Sequence, residues 1–237
     1  MAFLAFCGVV LGGYFLGGLN GSLITSRLVY GEDIRDYGSK NAGLTNFYRT
    51  YGSRAIFLVA LIDIIKTAFP VVMGGMLFES YFTFGTVTER LMVGRTLGGL
   101  FAMVGHAYPL LYKFKGGKSV LAGGTMILFL NPQVLLIALT AFLLAVLITR
   151  YVSLGSMLAA VAFPVSFIFL GFGTWATILA FICGAFVIYR HHENILRLYR
   201  KEERRLTFGR KRQDADEQDG ENEDKNEQDT EARDKEV

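Results

Sequence analysis

The chain has 237 residues, 52% of them hydrophobic, and a mean hydropathy of +0.37. A soluble domain of this length cannot hide so much apolar surface in one core, so the excess has to meet lipid. The formal net charge of +3 gives no reason to expect a nucleic-acid partner, and three histidines with two cysteines, Cys7 and Cys183, both in apolar segments, offer neither a disulfide framework nor a set of metal ligands.

In chain order, apolar stretches fit to cross about 30 Å of hydrocarbon as helices fall at roughly 1–20, 55–78, 91–112, 119–131, 133–149, 155–171 and 174–190. The first lacks a basic leading region and a small-x-small cleavage site, so it reads as a retained helix rather than a signal peptide. Its glycines, Gly8, Gly12, Gly13, Gly17 and Gly21, recur at a spacing that lets helix backbones approach closely. Within the second stretch Asp63 and Lys66 share a helical face, which suits either a structural ion pair or a role at a substrate site. Arg95 stands near the outer end of the third and can snorkel. The fourth is too short to cross comfortably and is expected to tilt or stop partway. Arg27, Arg35, Lys40, Arg49 and Arg54, then Lys113, Lys115 and Lys118, then Arg150, lie on one side of this layout, which the positive-inside rule makes cytoplasmic. The expectation is an all-α integral membrane protein of about seven transmembrane helices, N-terminus outside and C-terminus cytoplasmic. After Tyr199 the chain turns first basic and then acidic without apolar periodicity. The membrane domain is therefore expected over 1–199 and a disordered charged tail over 200–237, its basic part against anionic headgroups.

Four polar clusters fall at the cytoplasmic ends. Gly38 to Arg49 is dense in small, amide and hydroxyl side chains that suit a phosphate. Gly105-His106-Ala107-Tyr108-Pro109 leads to Lys113-Phe114-Lys115-Gly116-Gly117-Lys118-Ser119, an apparent glycine-rich anion cradle. It is not a nucleotide-binding P-loop, because Tyr112 stands where that motif needs its first glycine. Thr149 to Ser156 and Arg190-His191-His192-Glu193-Asn194 complete the set. Their gathering on one face is what points to a site.

These segments resemble the three signature regions of the bacterial acyl-phosphate-dependent glycerol-3-phosphate acyltransferases, over about 21–198. Ser39, Asn41, Gly43, Thr45, Asn46 and Arg49 match a first signature resembling Gly-Ser-Gly-Asn-Ile-Gly-Ala-Thr-Asn, from which Lys40, Ala42 and Leu44 depart. Gly105, His106, Pro109 and Phe114 to Lys118 match the second, with Ser119 in place of its final glycine. Thr149 to Ser156, and His191, Glu193 and Asn194, match the rest, and the Asp63 and Lys66 pair also resembles a family feature. The resemblance implies a multi-pass protein of the bacterial cytoplasmic membrane with a cytoplasm-facing site. It also implies acyl phosphate as donor, the sn-1 hydroxyl of glycerol 3-phosphate as acceptor, and lysophosphatidic acid and phosphate as products, the first acylation of phospholipid biosynthesis, with no cofactor.

On this reading Arg49, Lys115 and Lys118 bind phosphate, Ser39, Asn41, Thr45, Ser153 and Ser156 supply hydrogen bonds, and the Gly116-Gly117 backbone allows close approach. His191 and Asn194 orient the attacking hydroxyl, Ser156 is counted with them at the reacting groups, and the base is either His191 or the donor phosphate. Two other classes fit the sequence less well. A transporter of phosphorylated solutes would want a repeated half, and none is evident. An acyltransferase with a His-x-x-x-x-Asp pair would need a carboxylate where Leu111, Leu196 and Arg197 stand. Because the acidic end matches no signature, truncation after Arg212 is expected to leave turnover of correctly inserted protein nearly intact; a large loss at equal abundance would overturn that reading of the tail.

Overall fold

The computed structural model describes residues 1–206, and all of their regular structure is helical. One helix answers each expected span: α1 (Ala2–Gly17), α4 (Ile56–Tyr81), α5 (Val87–Ala107), α6 (Val120–Leu130), α7 (Pro132–Thr149), α8 (Val152–Leu170) and α9 (Thr174–Arg190). Between α1 and α4 the chain forms two short helices, α2 (Gly21–Thr25) and α3 (Leu44–Tyr51), and after α9 it bends by 55° into α10 (His192–Tyr199). By length and composition four helices among the described residues can cross a membrane, or five if α9 and α10 count as one bent span. With 44 large apolar side chains exposed among the described residues, most of them on these helices, this helix bundle is a membrane protein.

α5 is the centre of the bundle and packs on α1, α4, α6 and α9, while α7 packs on α8 and α8 on α9. Close approach rather than side-chain interlock sets the spacing. A Cβ on Gly74 or Gly94 would run into the other's carbonyl, one on Gly98 would strike the Pro70 carbonyl, and one on Gly17 would overlap the Ala102 backbone. Of the glycines in the first span, Gly13 and Gly17 face α5 and Gly21 faces Asp63, but Gly8 and Gly12 have nothing within 4 Å.

The fourth expected span is a short helix. α6 has eleven residues, about 16 Å of helix against about 30 Å of hydrocarbon. Its last carbonyls would be left without partners, and Arg95 supplies them: Nη1 donates to Phe129 O at 2.9 Å and Leu130 O at 3.4 Å. Asn131 then caps α7, its side-chain oxygen accepting from Gln133 N at 2.7 Å and Val134 N at 3.4 Å. Arg95 is thus a helix cap rather than a snorkelling side chain.

α10 ends at Tyr199, and the chain stays in contact with the bundle through 206. Glu202 N donates to Arg197 O at 2.8 Å and Leu206 N to Arg150 O at 2.7 Å. The expected tail from 207 onward lies outside the described residues.

Gly98→Val should force the α4 and α5 backbones apart and cost about 1–3 kcal/mol, read as a lower thermal unfolding midpoint in detergent. An unchanged midpoint would mean that this contact does not set the packing.

Candidate active site

The polar ends of the helices converge on one cavity of about 610 Å³. At its mouth stand Ser39, Asn41, Thr45, Arg49, Lys118, Ser153, Ser156, His191 and Asn194; deeper in, the walls are Met126, Ile127, Leu135, Leu139, Phe142 and Phe163 from α6, α7 and α8. The arrangement joins a cationic, hydroxyl-bearing end to an apolar one. Of the expected site residues, Lys115, Gly116 and Gly117 do not line it.

Asn46 organises the first loop. Its Oδ1 accepts from Ser39 N at 2.9 Å, and its Nδ2 donates to Ile34 O at 3.2 Å and Tyr37 O at 3.0 Å. Asn20 caps α2 by accepting from Leu23 N at 3.0 Å and reaches Ala42 O with Nδ2 at 3.0 Å. Two departures from the family signatures have a shared backbone explanation. Lys40 and Ser119 stand where the resemblance implies glycines, and both adopt left-handed conformations, with φ of 56° and 61°, which glycine takes without steric cost. Ser119 is held there by its hydroxyl, which donates to Met103 O at 2.7 Å.

The loop carrying Lys118 rests on a buried charged cluster. Asp63 Oδ1 accepts from Lys66 Nζ at 2.7 Å and from Gly21 N at 3.0 Å, and Lys66 also donates to His106 Nδ1 at 2.7 Å. Gly116 N and Gly117 N bond to Ala107 O and His106 O, each at 3.1 Å. A Cβ on Gly117 would strike the His106 ring, and one on Gly116 the His106 carbonyl. These glycines therefore seat the loop on α5 instead of facing the cavity. Arg35 Nη1 grips the loop through Tyr112 O at 2.9 Å and Lys115 O at 3.1 Å, and Arg190 Nη2 through Gly117 O at 3.2 Å. Lys115 takes part through its carbonyl, and its side chain is exposed.

Lys118 donates to Asn194 Oδ1. Burial, with Arg197 adding to it, pushes its pKa down to about 8. His191 is buried just past the end of α9, and its Nδ1 lies 2.7 Å from Val187 O. A carbonyl only accepts, so Nδ1 carries a proton and Nε2 keeps its lone pair. Burial holds the ring's pKa below the ordinary histidine value. Ser156 lines the cavity, but its hydroxyl donates to Val152 O at 2.9 Å, within its own helix. Ser153 Oγ donates to Glu203 Oε1 at 2.6 Å. Glu203 and Arg197, which also line the cavity, escape a sequence reading because they lie in or beside a charged run that resembles a tail. Among the described residues no group of three or more His, Cys, Asp and Glu side chains is placed to hold a metal ion.

Fold and site define a helical membrane protein whose cavity pairs a cationic, hydroxyl-bearing mouth and a histidine with an apolar interior. The family model described as glycerol-3-phosphate acyltransferase matches residues 7–201. Among curated relatives, the glycerol-3-phosphate acyltransferase of Chlorobaculum parvum is 36% identical over 231 residues, covering 88% of this chain and 99% of its own. That of Finegoldia magna is 36% identical over 205 residues, covering 86% and 96%. The crystal structure of PlsY, an integral membrane glycerol 3-phosphate acyltransferase, in its glycerol 3-phosphate form superposes with a TM-score of 0.74 at 31% identity, over 85% of this chain and 96% of that one. Its lysophosphatidic acid form gives a TM-score of 0.71 at 30% identity, over 85% and 95%. The chain belongs to the glycerol-3-phosphate acyltransferase family, and its fold is that of PlsY.

The buried cluster can be tested apart from activity. Lys66→Met leaves Asp63 charged and without its principal partner, which costs about 3–5 kcal/mol, while Lys66→Met with Asp63→Asn should recover much of that. Unfolding midpoints in detergent for the single and double variants check this; a double variant no better than the single would show that charge pairing is not what the cluster supplies.

Proposed function

We propose that the protein transfers a fatty acyl group from acyl phosphate to the sn-1 hydroxyl of glycerol 3-phosphate, releasing lysophosphatidic acid and phosphate. The single observation that carries this reading is the position of His191. Its unprotonated Nε2 belongs to a buried ring at the mouth of an apolar cavity, beside Lys118 and Arg49. Lys118 and Arg49 hold the phosphate groups of donor and acceptor, whose charges would otherwise repel. The acyl chain lies along Met126, Leu139 and Phe163. The acceptor hydroxyl oxygen bonds to the carbonyl carbon, the bond from that carbon to the phosphate oxygen breaks, and phosphate departs. The hydroxyl proton passes to His191 Nε2, and no protein nucleophile is required because phosphate leaves readily. Ser39, Asn41 and Thr45 supply hydrogen bonds from the first loop.

The same reading carries a topology of seven spans in the bacterial cytoplasmic membrane, with the N-terminus outside and the cavity mouth and C-terminus in the cytoplasm. It is supported by the basic residues at the mouth, Arg49, Lys118 and Arg197 among them.

Purified protein in detergent, given glycerol 3-phosphate and a synthetic acyl phosphate, should form lysophosphatidic acid; its absence would sink the reading. Lys118→Ala should lower turnover or affinity about 10- to 150-fold, the loss of one charge-assisted contact. Lys118→Arg should recover only part, because a planar guanidinium replaces a compact ammonium. Near-normal kinetics in the alanine variant would remove Lys118 from phosphate binding. The profile of kcat/KM against pH should be bell-shaped. Its acid limb falls below the ordinary histidine pKa, where His191 gains a proton and stops accepting one; its alkaline limb falls near pH 8, where Lys118 loses its charge. The alkaline limb should vanish in Lys118→Arg.

A further inference from the structure

Glu203 has no part in the reaction as drawn, yet it lies within the cavity mouth with a side chain only 8% exposed. The chain turns back at Lys201, where φ is 62°, and runs over the site. Arg49 Nη2 donates to Arg204 O at 3.4 Å and Leu206 N to Arg150 O at 2.7 Å, fixing this strap to α3 and to the α7–α8 junction. Glu203 Oε1 accepts from Ser153 Oγ at 2.6 Å and Asn194 Nδ2 at 2.7 Å, and Oε2 accepts from Arg197 Nε at 2.9 Å. Burial opposes its ionisation, but these three donors hold its carboxyl below the ordinary glutamate value, so it is an acceptor at neutral pH.

That settles a choice the Asn194 side chain cannot make alone. An amide has a donor end and an acceptor end of nearly equal shape. A carboxylate takes only donors, and the Lys118 ammonium offers only donors. With Glu203 on one side and Lys118 on the other, Asn194 has a single satisfied orientation: Nδ2 to Glu203, Oδ1 to Lys118. We propose that Glu203 is a positioning residue for acyl transfer, fixing the Asn194 amide so that its oxygen holds the Lys118 ammonium where it meets phosphate. This role rests on the acyl-transfer reading above.

The test is a double-mutant cycle on purified, correctly inserted protein, with glycerol 3-phosphate and a synthetic acyl phosphate as probes and kcat and KM read separately. Glu203→Ala should lower kcat/KM for glycerol 3-phosphate about 10- to 100-fold. Glu203→Gln keeps one oxygen that accepts from Ser153 and Asn194, and should stay within about tenfold of the native protein. The combination of Glu203→Ala with Asn194→Ala should be no worse than Asn194→Ala by more than about twofold, because Glu203 acts through Asn194. A merely structural role would instead make the two losses multiply, and that result overturns the proposal. So does a lower KM for glycerol 3-phosphate in Glu203→Ala, which would show the carboxylate competing with substrate for the anion site. If the alanine variant does not fold, Glu203→Asp, which keeps the charge but shortens the reach, takes its place in the cycle with the same expected outcomes. Product from the native protein together with multiplying losses condemns only the role of Glu203, whereas no product from the native protein overturns the acyl-transfer reading and this role with it.

Discussion

The buried ion cluster of Asp63, Lys66 and His106 is the constraint from which the site follows. Charges without partners in a helix bundle that meets lipid would be very costly, so α4 and α5 are brought into a register in which Lys66 reaches both its own Asp63 and His106 across the helix interface. Asp63 also takes the first amide of α2, which fixes where the chain leaves α1. His106 in turn presents its carbonyl to Gly117, and only residues without Cβ atoms can lie so close to it. One ionic contact thereby locates the first loop, the end of α5 and the loop bearing Lys118.

The cations gathered at this face divide by task. Arg35 and Arg190 donate to backbone carbonyls and hold the loop that leads to Lys118. Among the described residues Lys118 is held by a side-chain amide and Arg49 by one long bond to a carbonyl, which on the proposed reading leaves these two for phosphate. A guanidinium with five donors suits several carbonyls at once; an ammonium beside two glycines suits a compact anion.

Two left-handed residues are accommodated in different ways. Lys40 and Ser119 stand at φ values that glycine adopts freely. Ser119 offsets the strain with a buried bond to Met103 O. Lys40 is exposed, so its side chain meets no clash and only the local backbone preference is opposed.

Much of the helical plan was legible in the sequence because hydropathy is local: a stretch that must meet lipid shows it in its own composition, and each expected span has its helix. The first-loop residues, Lys118, His191 and Asn194 were legible as clusters for the same reason, each cluster being contiguous in the chain. Three things were decided only by tertiary structure. Lys115 and Ser156 look as suited to phosphate as Lys118 and Ser153, but direction in space turns the Lys115 side chain outward and gives the Ser156 hydroxyl to its own helix. Arg95 became a cap because α6 ends beside it, a contact across 34 residues. Glu203 sits in a segment whose composition resembles a solvated tail, and it belongs to the site because Ser153, 50 residues earlier, and Asn194 converge on it. Composition fixes which solvent a segment meets, whereas the partner of a polar side chain depends on residues far away in the chain, and only folding brings those together.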